Sequence, residues 1–174
     1  CIADDHTNVV RIEKDDAVLF EAPPMSRDEI SPEEQFLNNL TLKDVYQFAT
    51  ECPIDDIRFM EEAAKLNEEL SKVGLSEKYG HCIGYTMKSE IHTGFLSNAL
   101  QDMIIMKTAG ASDARMGGAP LPAMTNSGSG NQGITATIPV VVTAQKVKAS
   151  KEQLIRALTM SHMTAIYIHS FLPK

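Results

Sequence analysis

The chain has 174 residues, 43% of them apolar and 22% charged, with 23 Asp and Glu against 16 Lys and Arg for a net charge of −7. Such proportions belong to a globular polypeptide able to bury a core, and an acidic chain with 6% aromatics lacks the phosphate footprint and stacking platforms of a nucleic-acid binder. No apolar run approaches the roughly 20 residues that span a bilayer, and Cys1 to Asp5 lack the basic-then-apolar layout of a secretory signal, so the expected setting is cytoplasmic with no membrane partner.

Thr7 to Glu13 and Ala17 to Glu21 are short β-branched or apolar runs around Lys14-Asp15-Asp16, the layout of a β-hairpin. A lone hairpin is marginal in water, so these strands are expected to complete a sheet lying partly outside the chain. Ala22-Pro23-Pro24 ends the β region. Ser31-Pro32-Glu33-Glu34 and Thr41-Leu42-Lys43-Asp44 are helix start signals, with a hydroxyl cap and an acid three residues on. Between Ile54 and Val73 the residues Ile54, Ile57, Met60, Ala64 and Leu70 recur at helical spacing, and Gly74 is placed to stop that helix.

Ser97 to Thr108 reads as another apolar helix, and Ser150-Lys151-Glu152-Gln153 as a capping box opening a long helix toward Phe171. Between them, Ile134 to Val142 is β-branched enough for a strand, but Pro139 would remove a ladder donor from its middle. A buried helix kinked at Pro139 and capped by Ser129 or Asn131 is the preferred reading. The expected fold class is α+β, predominantly helical, with residues 1–24 as a hairpin piece of a partial subdomain and 25–174 as a helical domain.

Charge divides unevenly. Residues 1–80 carry 19 acids and 8 bases, whereas residues 81–174 carry 4 acids and 8 bases. In the basic half lies Ser127-Gly128-Ser129-Gly130-Asn131-Gln132-Gly133, seven small or polar residues that suit wrapping a ligand better than building a core. Glycine permits positive φ and close backbone approach, so such a run can turn several N–H groups toward one carboxylate or phosphate. Between Ile105 and Ser150 the only acid is Asp113, against Lys107, Arg115, Lys146 and Lys148, which gives a local positive potential.

Gly128 to Gly133 also satisfies G-x-G-x-x-G, with Glu152 nineteen residues beyond. A dinucleotide fingerprint must follow a strand, whereas Ala119-Pro120-Leu121-Pro122-Ala123 precedes this one, and Glu152 belongs to a helix cap. Cys1, Cys52 and Cys82 are far apart without C-x-x-C spacing, which argues against a metal site or disulfide framework within the chain. His162 and His169, seven apart on the last helix, share nearly one face and are candidate bases, with satisfied core or interface histidines as the alternative. His6 and Asn8 open the first strand near a possible cleft, while His81 and His92 carry no supporting pattern.

Ala111-Ser-Asp-Ala-Arg-Met-Gly-Gly118, Leu121-Pro-Ala-Met124, Asn126 to Val140, Ser161-His162 and Ala165-Ile-Tyr-Ile-His169 together resemble the L-cysteine desulfidase family, itself similar to the alpha chain of iron–sulfur L-serine dehydratases. His6-Thr7-Asn8 and Ile57-Arg58-Phe59 extend the resemblance over essentially the whole chain, which looks like the middle of a longer protein.

That resemblance implies a lyase with a [4Fe-4S] cluster, converting L-cysteine or L-serine to pyruvate, ammonia and sulfide or water. Its cluster cysteines are expected outside this chain, so no metal ligand is assigned here and the fragment alone is expected to be inactive. The glycine run would hold the substrate carboxylate. Arg115 would add a bidentate contact, and Ser112 and Asp113 would meet the ammonium or order the loop. Alternatively, Asp113 and Arg115 pair with each other or cap neighbouring helices. The remaining segments of the longer protein are the expected partners, together with a possible second copy. A non-catalytic module that binds a small anion or amino acid is the other function class left open.

Overall fold

The computed structural model describes residues 1, 9–15, 17–23, 32–94 and 96–172, with only the backbone at Glu33, Glu34 and His92. His6, Thr7, Asn8, Pro24 and the Ser31 cap lie outside the described residues. The chain divides into two units, residues 1–39 with 171–174, and residues 40–170.

The first unit holds strand β1 (Arg11–Lys14) and strand β2 (Ala17–Glu21), paired antiparallel from Arg11 opposite Glu21 to Lys14 opposite Ala17. Asp15 turns the chain at a φ of 52°, a conformation that Asp tolerates better than most residues. A register irregularity falls between Ile12 and Glu13. Every residue of β2 is exposed, Leu19 at 63%. Helix α1 (Pro32–Asn39) completes this unit, and the α+β class expected from sequence is the one observed.

The second unit is helical: α2 (Leu42–Glu51), α3 (Ile54–Ile57), α4 (Met60–Gly74), α5 (Ile83–Thr93), α6 (Leu100–Met116), α7 (Gly130–Val147) and α8 (Lys151–His169). Helix α7 lies at its centre, against α4, α6 and α8. Its Val141 joins Ile57, Met60, Ile155 and Leu158 in one buried cluster, while its Ile134, Ile138 and Val142 join Leu70, Ala111 and Ala114 in another. A helix apolar on several sides is one that must be enclosed. Pro139 is accommodated inside it, and the carbonyl it leaves without an N–H partner belongs to Thr135, an exposed residue.

Two expectations need correction. The stripe from Ile54 to Val73 is not one helix: it breaks at Arg58 and Phe59 into α3 and α4. Helix α4 does end at Gly74, where the sequence placed its stop, although the cap that follows is Leu75 in αR geometry. A Cβ on Gly74 would lie 1.8 Å from the carbonyl oxygen of Gly110, and one on Gly84 would lie 2.4 Å from the Gly110 Cα; these glycines let α4, α5 and α6 touch backbone to backbone. Lastly, the helix expected over Ser97 to Thr108 begins at Leu100 and runs on to Met116, so Ser112, Asp113 and Arg115 belong to a helix rather than to a loop.

Candidate functional site

The glycine-rich run folds as a tight turn feeding a helix. Asn126 and Ser129 exchange backbone hydrogen bonds of 3.0 and 2.9 Å across Ser127 and Gly128, whose φ values are 46° and 76°. Two successive positive φ angles define the primed turn family, which glycine and small polar residues can enter. Ser129 then caps α7, its Oγ accepting from the Gln132 N–H at 3.2 Å while its carbonyl accepts from the Gly133 N–H at 3.1 Å. Among the described residues nothing accepts from the N–H groups of Gly130 and Asn131. These donors and the positive end of the α7 dipole converge at one place.

Arg115, in the last turn of α6, covers that end. Its Nη1 donates to Asn131 Oδ1 at 3.2 Å, and a Cβ on Gly130 would fall 2.1 Å from its Nε. Gly130 is therefore glycine so that a guanidinium can lie against it. Gly133 serves a different neighbour, since a Cβ there would lie 2.0 Å from the Met124 carbonyl oxygen.

Beneath the turn runs a buried polar network. Asn126 makes all four bonds open to an amide: Oδ1 accepts from Gln132 Nε2 at 3.0 Å and Ser127 Oγ at 3.2 Å, and Nδ2 donates to the His162 carbonyl at 3.0 Å and faces His162 Nδ1 at 3.2 Å. The other ring nitrogen of His162, Nε2, is 2.9 Å from Thr137 Oγ1, which donates to the Gly133 carbonyl at 2.7 Å and accepts from Asn67 Nδ2 at 3.0 Å. Asn67 in turn clamps both backbone groups of Met124, at 3.0 and 3.3 Å. Burial pushes the His162 pKa below its ordinary 6.5.

Of the residues expected at the site, Arg115 and Ser127 to Gly133 come together, and His162 joins them through Asn126. Asp113 does not: buried on α6, it turns to the start of α5, accepting from the His81 N–H at 3.2 Å and the Gly84 N–H at 3.1 Å. That is the capping alternative, and it supplies what Cys82, the αL residue opening α5 without a side-chain cap, does not. Ser112 is half-buried on α6 and makes none of the bonds that hold the turn. His169 is exposed at the end of α8, whereas His162 is 7% exposed in the interior; their shared helix face does not give them a shared environment.

A cleft of about 320 Å³ opens beside the turn, lined by Asn126, Ser127 and His162 together with Phe48, Phe59 and Met163. Among the described residues no three His, Cys, Asp or Glu side chains converge as metal ligands, and Cys52 and Cys82 are free thiols on separate elements. The described residues therefore offer no ligand set for an iron–sulfur cluster. No helix among the described residues is long and apolar enough to cross a membrane.

Sequence reading missed Asn67, Thr137 and Asn126 as site-building residues. A signal existed for Asn67: in α4 it follows Met60 by seven and precedes Leu70 by three, a position on the apolar stripe where a polar residue must find a buried partner. Thr137 was hidden inside a β-branched run.

The geometry meets its relatives at this point. Residues 12–174 match the family model described as serine dehydratase alpha chain. The chain is 54% identical over 173 residues to a UPF0597 protein of Dichelobacter nodosus, covering 99% of this chain and 40% of that protein. With the same coverages it is 53% identical to a UPF0597 protein of Actinobacillus pleuropneumoniae serotype 5b and, over 174 residues, 48% identical to UPF0597 protein YhaM of Salmonella newport. It thus spans about 40% of the length of these relatives. No solved structure matches it. This chain belongs to the serine dehydratase alpha-chain family.

Proposed function

We propose that this chain is the substrate-carboxylate half of a lyase active site completed by other segments of a longer protein. The reaction is a β-elimination on L-serine or L-cysteine. The α-proton and the β-substituent leave as water or hydrogen sulfide, and the resulting enamine takes up water to give pyruvate and ammonia. The observation that carries this reading is the N-terminus of α7, where the unaccepted N–H groups of Gly130 and Asn131 and the guanidinium of Arg115 meet. A small carboxylate can accept from both kinds of donor. Membership of the serine dehydratase alpha-chain family supports the reaction class.

The [4Fe-4S] cluster implied by the resemblance would take its ligands from outside this chain, so no step is derived through it. His162 enters the reading as a support of the cradle, because both its ring nitrogens are engaged in the interior. His169 is the histidine of the pair whose ring stays open to solvent.

The deciding experiment reconstitutes the full-length protein anaerobically with iron and sulfide and assays pyruvate from L-cysteine and L-serine separately. Pyruvate from either is the expected result. Tight binding of an amino acid with no pyruvate from a cluster-loaded protein would instead establish a non-catalytic amino-acid-binding module.

A further inference from the structure

We infer that His162 is a positioning residue which, as the neutral Nε2–H tautomer, locks Asn126 and through it the conformation of the glycine-rich turn. The assignment follows from the polarity of its neighbours. Asn126 Oδ1 is claimed by two donors, Gln132 Nε2 and Ser127 Oγ, and its Nδ2 meets the His162 carbonyl. The amide nitrogen therefore also faces His162 Nδ1, and a donor there requires that Nδ1 carry a lone pair. The ring proton then sits on Nε2 and is given to Thr137 Oγ1, whose own proton goes to the Gly133 carbonyl and whose remaining acceptor site takes Asn67 Nδ2. Every donor has an acceptor, and the direction of each bond forces the next.

Protonation at Nδ1 breaks this order. It sets an N–H against the Asn126 amide nitrogen at 3.2 Å, and turning the amide over to accept it would aim Oδ1 at the His162 carbonyl and present hydrogens to Gln132 Nε2. The described groups that surround the ring offer no buried charge to offset the change. Helix α8 packs against α2, α3, α4 and α7, which contribute Phe48, Asp56, Met60 and Asn67, and Thr137 around the ring and its cleft. Asp56 is the one charged group among them, and it is exposed. The neutral imidazole is thus part of the scaffold that points Ser127, Gly128 and Gln132.

The consequence for substrate rests on the carboxylate-cradle reading, whereas the tautomer and its link to the turn do not, so the test has two arms. In the first, full-length protein carrying 15N-labelled histidine and glycine is titrated by NMR. The His162 ring is expected to show the Nε2–H signature at neutral pH, to remain neutral where exposed histidines have protonated, and to move the Gly128 amide signal when it does protonate. An Nδ1–H signature, or a Gly128 signal indifferent to His162 protonation, overturns the proposal. In the second, His162→Leu and His162→Asn are compared kinetically. The leucine variant is expected to raise KM for the amino acid at least tenfold with kcat reduced less than threefold, and the asparagine variant, which restores an acceptor toward Asn126, to recover part of the loss. A fall in kcat at constant KM would make His162 the proton acceptor and overturn the positioning role. If both variants fail to fold, or the protein turns over neither substrate, the NMR arm decides alone.

Discussion

Arg115 and Gly130 show how a single hydrogen atom in place of a side chain can let a guanidinium lie on a helix end. The guanidinium lies where a Cβ of residue 130 would be, and Gly133 faces not a side chain but the Met124 backbone. The two glycines therefore predict different failures. Gly130→Ala pushes Arg115 off the N-terminus of α7 and, like Arg115→Ala, is expected to weaken amino-acid affinity by about 10- to 100-fold, the worth of a hydrogen bond to a charged group, with little change in melting temperature. Gly133→Ala meets backbone that cannot swing away and is expected to cost about 1–3 kcal/mol of stability. Calorimetric titration with the substrate amino acid and thermal denaturation separate the two. Equal loss of affinity and stability in both variants would sink the distinction. The sequence already marked both positions as glycine inside a polar run; which one faced Arg115 depended on what packed above it.

At the scale of elements, the junction of α4, α5 and α6 turns on Gly74, Gly84 and Gly110. Alanine is favoured over glycine within a helix by about 1 kcal/mol, so local propensity alone predicts that Gly84→Ala stabilises α5. Tertiary packing predicts the reverse, because the new methyl would fall 2.4 Å from the Gly110 Cα and 2.5 Å from its nitrogen. Overpacking of this kind costs about 1–3 kcal/mol, occasionally more, and outweighs the propensity gain. A denaturant midpoint raised by Gly84→Ala would refute the close-approach account. The start of α5 was illegible from sequence for a related reason. Its capping carboxylate, Asp113, is 29 residues away on α6, so no local start signal precedes Ile83, whereas Thr41 with Asp44 and Ser150 with Gln153 cap their own helices within three residues and were read directly.

At the scale of the whole molecule, two of the described groups carry lowered pKa values that tie stability to acid. His162 is held neutral by burial, so its folded pKa lies below the unfolded 6.5. Between those two values the unfolded chain binds the extra proton, and stability falls as pH drops through that window. Asp44 acts lower down: bonds from Thr41 hold its pKa below 3.8, so its contribution is present above 3.8 and disappears as pH falls through the folded value. Thermal denaturation across pH is expected to show a first loss of stability beginning near 6.5 that His162→Leu flattens, and a second below 3.8 that Asp44→Asn flattens. A first loss unchanged by His162→Leu would remove His162 as its source.

The amino-acid sequence by itself determined the helix caps at Thr41, Ser129 and Ser150 and the antiparallel pairing of Arg11 to Lys14 with Ala17 to Glu21, because each is decided by residues within a few positions of one another. Tertiary structure alone decided that Asp113 caps the start of α5, that Arg115 lies on Gly130, and that both ring nitrogens of His162 meet interior partners. Those roles depend on partners 29, 16 and 36 residues away, and on Asn67 reaching Thr137 across 70. A buried polar group takes its partner from whatever element packs against it, and that choice is made only when the helices close.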